Sequence, residues 1–352
     1  MPKNSTVQVA VVGAGAIGLY HIEGYKQHPA ARVVAVADTS VERGREAAEH
    51  FGIPEVVTDY HELLGRPDID VISIALPNIL HVPASLEALQ AGKHVMLDKP
   101  MATNAADAAK IIALAEEKKL HFMVGQNQRF SGEAQMVRKL VADGVLGEVY
   151  HAKATWQRRS GIPRIGSRFT QKKFSGGGCT CDIGVHVLDL ALHLMDEFGP
   201  AAVSGQTFAK FGPRGLGEGT WGLSEIDPER PFEVEDFCVA LIKMKSGHTV
   251  QLEASWAAAM EVHDVNGVQL FGTEGGATTN PLRWYRPGVS GYEVTQLAPA
   301  RAYVPESRMV HFIDVVLGNA RPFVPPWQSL VIQRILDALY ESARTGREMR
   351  LD

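Results

Sequence analysis

Val7-Gln8-Val9-Ala10-Val11-Val12-Gly13-Ala14-Gly15-Ala16-Ile17-Gly18 decides how the rest of the chain is read. Its first half is a short apolar run, as expected of a strand buried on both faces. The run breaks into a glycine-rich turn, and a helical stretch follows to about Gln27. Such a turn leaves the helix's first N–H groups without intrahelical partners at the strand's carboxyl end. Working outward, residues 32–38 (RVVAVAD) read as a second strand and Val41–Phe51 as a helix stopped by Gly52. Residues 70–75 (DVISIA) read as a third strand, followed by a helix ending near Gly92, and His94–Leu97 as a fourth. A helix over about 104–119 and a strand at 121–125 complete a unit spanning residues 1–126. Strands spaced by helices imply a parallel, doubly wound sheet covered on both faces.

The turn has the residues that a dinucleotide needs. Gly13 permits the tight turn, Gly15 lets the backbone approach a pyrophosphate, and Gly18 lets the helix pack close to the strand. Ala16 and Ile17 lie at the helix start and join the expected cofactor contacts. Asp38 ends the second strand twenty residues after Gly18, where a carboxylate can accept both ribose hydroxyls. It would repel a 2′-phosphate, so NAD is favoured over NADP, although Arg43 lies close enough to temper the preference.

Composition sets the outer bounds. The chain has 352 residues, with 45% hydrophobic and 21% charged, enough for two domains of ordinary size. A net charge of −5, from 35 basic and 40 acidic residues, argues against a general nucleic-acid or membrane-surface binder. No apolar run is expected to span a membrane, and the N-terminus lacks a signal-peptide layout. Three cysteines suit a reducing compartment, so a cytoplasmic protein is expected.

Two further motifs lie at carboxyl ends of strands, where doubly wound sheets place their ligands. They are Leu76-Pro77-Asn78 with His81, and Asp98-Lys99-Pro100. A lysine there is a candidate proton-transfer group, and the following proline permits a cis peptide. Taken together these residues resemble the Gfo/Idh/MocA oxidoreductases. That family shows a Gly-rich turn, a Thr-Pro-Asn-like segment with a following His, and a Glu-Lys-Pro motif. Gln126-Asn127-Gln128-Arg129-Phe130 is similar to the family's crossover out of the nucleotide domain. The resemblance places Leu76, Pro77, Asn78, His81, Asp98, Lys99 and Gln126 against the cofactor and Arg129 among the substrate contacts. It implies an α/β fold: an N-terminal Rossmann doubly wound domain over 1–126, then a C-terminal α+β domain over 127–352. The second domain is expected to hold a large, mostly antiparallel open sheet through which homodimers or homotetramers form. Its strand candidates are 148–157, 202–209, 236–244, 249–256 and 265–271, and a last helix over about 328–344 is a candidate to pack back on the first domain.

Residues 182–195, read as a helix, put Asp182, His186, Asp189 and His193 in one polar stripe on an otherwise apolar surface. By the family's matching signature Asp182 positions the substrate and His186 is a proton-transfer group beside Lys99. Asp189 is expected to orient His186 or to cap a structural network. A metal on His186, Asp189 and His193 is the weaker reading. Cys179 and Cys181 read as buried apolar residues, so no metal is expected.

Between Glu148 and Asp182 there are seven basic residues and no acid. Arg158, Arg159, Arg168 and Lys173 are therefore candidate contacts to an anionic sugar, with Trp156 a candidate stacking platform. A solvated face is the plainer reading of this loop. The function expected is an NAD-dependent oxidation of a ring hydroxyl in a small sugar or polyol, by hydride transfer to nicotinamide. The alternatives are a redox-neutral NAD-dependent glycosidase, for example on sulfonated sugars, and a non-catalytic nucleotide-dependent sensor.

Overall fold

Alternating apolar strands and amphipathic helices build the first sheet. The computed structural model describes residues 6–220, 225–300, 303–305 and 307–351. In chain order it forms β1 (Val7–Val12), α1 (Ala16–Lys26), β2 (Ala31–Ala37), α2 (Val41–Phe51), β3 (Glu55–Val57), α3 (His61–Leu64) and β4 (Val71–Ile74). Then come α4 (His81–Gln90), β5 (His94–Leu97), α5 (Ala105–Lys118) and β6 (Phe122–Val124). The strands lie in the order β3-β2-β1-β4-β5-β6, and every pair is parallel. All carboxyl ends therefore share one edge, and the order reverses beside β1, where ligands sit in such sheets. Local capping fixes the helices: Ser40 Oγ accepts from the Arg43 N–H at the start of α2, and Gly52 closes that helix at φ +68°. The apolar strands pack on α4 and α5 through Ile72, Ile74, Ala88, Leu89, Leu97 and Ile111.

The second unit continues with α6 (Gly132–Ala142), β7 (Val149–Arg158), α7 (Lys172–Ser175), a π-helical turn at Thr180–Gly184, and α8 (Val185–Met195). Seven strands follow: β8 (Pro200–Phe208), β9 (Phe237–Met244), β10 (Thr249–Ser255), β11 (Asp264–Gly272), β12 (Gly276–Thr279), β13 (Leu282–Gly288) and β14 (Gly291–Gln296). The chain ends with α9 (Arg308–Val316), α10 (Pro326–Thr345) and β15 (Met349–Arg350). Nine strands make one sheet, β14-β13-β12-β11-β7-β10-β9-β8-β15, antiparallel except for the β7–β10 pair. Alternation along β10 turns Val250 and Leu252 into a core shared with Leu188 and Leu192 of α8, and Ala254 into a second cluster with Ile183 and Trp256.

The chain divides into two units, Met1–Gln126 with Ser307–Leu330, and Asn127–Glu306 with Val331–Asp352. A second domain running unbroken over 127–352 is thus corrected: α9 belongs to the first unit, where Met309 lies against Gly24 of α1. The last helix divides: its first turn, up to Leu330, falls in the first unit, where Leu330 packs on the core, and from Val331 on it buries Ile332, Ile335, Leu336 and Leu339 in the second unit's core. The expectation that no apolar run would span a membrane also needs amendment. Among the described residues Lys172–Met195 is long and apolar enough, but its most apolar window is 89% buried within the protein. It is a core segment by that measure.

Candidate active site

The glycine turn is built as the dinucleotide reading requires. Gly13 has φ +102°, and a Cβ there would lie 2.4 Å from the Ala75 carbonyl oxygen. A Cβ on Gly18 would come within 1.7 Å of the Gly13 carbonyl oxygen, so α1 starts hard against the turn. Gly15 has open space above it, and Ala16 and Ile17 are exposed at the first turn of α1. The Gln126 carboxamide oxygen, just past β6 at the same edge, is buried without a hydrogen-bond partner. An open cradle beside exposed helix N–H groups and an orphaned acceptor fit a dinucleotide.

Asp38 is less available than its position suggested. Oδ2 accepts from the Ala14 N–H at 2.8 Å, while Oδ1 accepts from the Ser40 N–H at 2.8 Å and Arg43 Nη2 at 2.9 Å. A carboxylate offers about four lone-pair positions. One therefore remains for a ribose hydroxyl, not the two expected, and the Arg43 charge lies directly against the group meant to repel a 2′-phosphate.

Leu76, Pro77 and Asn78 follow β4 half-buried. Lys99 follows β5, half-buried, and its bond to Pro100 is cis. Two of the expected cofactor contacts turn inward instead. His81 is buried, with Nδ1 2.7 Å from the Pro100 carbonyl oxygen and Nε2 2.8 Å from that of Leu76. It ties the two loops together, and burial pushes its pKa below the usual histidine value. Asp98 is 8% exposed and meets Arg308 Nη2 at 3.1 Å and His21 Nε2 at 3.7 Å. Burial alone would raise the Asp98 carboxyl. The Arg308 charge outweighs that and, with the His21 ring close by, holds it well below the carboxylate range. Both residues position the site's loops; a direct cofactor contact is corrected.

In the second unit the π-helical turn carries Asp182, whose Oδ2 accepts from the buried Trp256 indole at 2.9 Å. The turn is anchored by Glu235, which accepts from the Gly178 N–H at 2.9 Å, the Thr180 N–H at 3.0 Å and the Tyr340 hydroxyl at 2.9 Å. His186 lies on the first turn of α8, its ring 5.7 Å from that of Trp156. Sequence reasoning missed Glu235, Trp256 and Arg308, because no local spacing ties them to the motifs they support.

Arg129 is corrected as a substrate contact. It is fully buried and forks onto Asp189, Nε to Oδ2 at 2.7 Å and Nη2 to Oδ1 at 2.6 Å. Asp189 is therefore part of a structural pair. Burial pushes its carboxyl up and the Arg129 charge pulls it back.

The basic loop meets acids brought from elsewhere in the unit. Arg158 Nε lies 3.0 Å from Asp264 Oδ2, with its guanidinium 5.0 Å from the Trp156 ring centroid, and Arg164 lies 3.5 Å from Glu218. Arg159 is exposed; Arg168 and Lys173 are exposed around the Phe174 ring. Trp156 also lines a cavity of about 270 Å³ with Gln128, Glu133, Asn266 and Asn280, a polar lining suited to hydroxyl groups.

Comparison with known proteins fits this layout. Residues 7–126 match the family described as "Oxidoreductase family, NAD-binding Rossmann fold", and residues 134–278 match the "GFO/IDH/MocA C-terminal domain". A D-glucoside 3-dehydrogenase of Escherichia coli is 32% identical over 99% of this chain and 98% of its own length. A levoglucosan dehydrogenase of Pseudarthrobacter phenanthrenivorans is 28% identical over 76% of this chain and 74% of its own. A solved levoglucosan dehydrogenase in complex with NADH shares the fold, with TM-score 0.84 at 22% identity, covering 99% of this chain and all of that one.

Proposed function

Because the chain belongs to the Gfo/Idh/MocA oxidoreductases, with an NAD-binding Rossmann domain, we propose that it is an NAD-dependent dehydrogenase of a ring hydroxyl in an uncharged sugar or polyol. The observation that carries this reading is Asp182, held by Trp256 one helical turn before His186, in a chain whose nucleotide-binding unit also presents Lys99. A sensor has no need of such proton-transfer groups. Arg158 and Arg164 are partnered by Asp264 and Glu218, which favours an uncharged substrate over an anionic one.

When bound, NAD supplies the hydride acceptor. The chain's residues do the rest. Asp182 accepts a hydrogen bond from the substrate and orients it. Lys99 or His186 takes the hydroxyl proton as the carbon gives up hydride. A positioned general base contributes about 10²–10⁴ in rate.

The test is absorbance at the NADH band with NAD and NADP over a panel of methyl glucosides, anhydrosugars, inositols and uronic acids. The names of the two relatives put glucosides and levoglucosan first. NADH build-up on an uncharged sugar, lowered about 10²-fold or more in Lys99→Ala, is expected. Aglycone release that needs NAD but leaves no NADH would replace this reading with the glycosidase. Tight NAD binding with neither signal would leave the sensor.

A further inference from the structure

The first unit buries a group of charged and polar side chains around Asp98, the residue before Lys99, and the dehydrogenase reading does not use it. Arg308 opens α9, near the end of the sequence, and is 4% exposed. Its Nη2 reaches Asp98 Oδ1 at 3.1 Å and His21 Nε2 at 3.3 Å. Arginine only donates, so His21 Nε2 must accept, which places the ring proton on Nδ1. Nδ1 then donates to Ser73 Oγ at 2.9 Å, and the same oxygen accepts from the Tyr25 hydroxyl at 3.0 Å. The imidazole is therefore neutral, and burial pushes its pKa down. It holds Arg308 without neutralising it.

Room for the guanidinium is made at the end of β6. A Cβ on Gly125 would lie 2.8 Å from Arg308 Nε and 3.3 Å from Asp98 Oδ1. The guanidinium also lies 4.9 Å from the Tyr20 ring centroid. Arg308 Nε itself is buried with no hydrogen-bond partner, so the cation is engaged chiefly through Nη2. Burying an arginine this way is expensive, and for stability alone an apolar residue would serve. The carboxylate it compensates belongs to the residue before Lys99.

We propose that Arg308 is a positioning residue for Lys99: its guanidinium takes up the charge of Asp98 and so sets both the placement and the electrostatic setting of the lysine. The groups facing this pair are His21 and Tyr25 from α1, His81 from α4 and Arg308 from α9. The two histidines are buried and neutral, and burial raises the Tyr25 hydroxyl well above its usual value. Asp98 and Arg308 are therefore the opposed charges of this cluster, adjoining the lysine in sequence through Asp98. The proposal rests on Lys99 as the proton-transfer group.

Opposite substitutions give opposite signs. In Arg308→Gln the Asp98 carboxylate stands uncompensated and favours the ammonium form of Lys99. In Asp98→Asn the guanidinium stands uncompensated and disfavours it. Two readouts are needed: kcat/KM against pH for a sugar oxidised in the panel, and the pH dependence of Lys99 acetylation by acetic anhydride, followed by mass spectrometry without sugar. The expected results are a Lys99 titration moved up by about one unit in Arg308→Gln and down by about one unit in Asp98→Asn. The double variant should return close to the starting value, and Arg308→Lys should hold it. The acid limb of kcat/KM should move with the labelling curve. A residue that merely stabilised the fold would depress activity without opposed shifts. Unmoved or same-direction labelling curves overturn the proposal. If Arg308→Gln does not fold, Asp98→Asn and Arg308→Lys still carry the test. Opposed labelling shifts without NADH from any sugar would reject the dehydrogenase and keep the role of Arg308. Lys99-dependent NADH formation with unmoved labelling would do the reverse.

Discussion

Arg129 shows what a motif says and what it omits. It stands in the crossover segment Gln126-Asn127-Gln128-Arg129-Phe130, and its type and place invite a substrate contact. Its partner, Asp189, is sixty positions away, and nothing local announces that both side chains are fully buried. The same holds for Asp98 and His81, whose positions at the carboxyl edge were legible while their inward direction was not. Direction depends on long-range partners. For the Arg129 pair the consequence is large. Arg129→Ala leaves a buried carboxylate uncompensated and is expected to cost about 3–5 kcal/mol, read as a lower guanidinium midpoint at unchanged slope. Replacing both partners, Arg129→Met with Asp189→Leu, should recover most of that loss. A double variant no more stable than Arg129→Ala would count against the pair.

At the scale of elements, the strongly periodic and apolar pieces could be read directly. The glycine turn, α2 with its Gly52 stop and the strands of the first sheet lie where their patterns put them, apart from the short edge strand β3. The strands β12 to β14 could not be read this way. Gly276, Pro287 and Gly291 interrupt them, and β14 is exposed along its length, so no apolar alternation marks it. The segment around Asp182 reads as continuous helix, yet it opens in a π-helical turn. Such turns often mark functional sites. Here the cause is tertiary: Glu235 captures the N–H groups of Gly178, just before the turn, and of Thr180, its first residue. In Glu235→Gln the amide nitrogen must face one of these donors or give up Tyr340. The expected loss is about 2 kcal/mol or more in chemical denaturation. NAD affinity, a property of the first unit, should be unchanged. A variant with native stability would mean that the turn holds itself.

At the scale of the whole chain, the first unit is not made by the first 126 residues alone. Its remaining segment, Ser307–Leu330, comes from beyond the second sheet. The boundary at 126 was legible because the β–α pattern stops there; the return was not, since α9 carries no motif that names its destination. The segment brings Met309, Phe312, Ile313 and Val316, all buried, and α9 packs on α1 and β5. At about 1.5–3 kcal/mol per buried apolar side chain, the four contribute on the order of 6–12 kcal/mol. That is comparable to the whole stability of a typical domain, about 5–15 kcal/mol. The segment also supplies Arg308, without which Asp98 is a buried carboxylate facing neutral histidines. A fragment of residues 1–126 should therefore show no cooperative thermal transition by circular dichroism and no NAD binding. The same fragment with residues 307–330 joined through a flexible Gly/Ser linker should regain both. A cooperative, NAD-binding 1–126 fragment would show that α9 adds little to the first unit. It would also remove the stability account of why the chain returns there, leaving Arg308 and its charge on Asp98 as the reason.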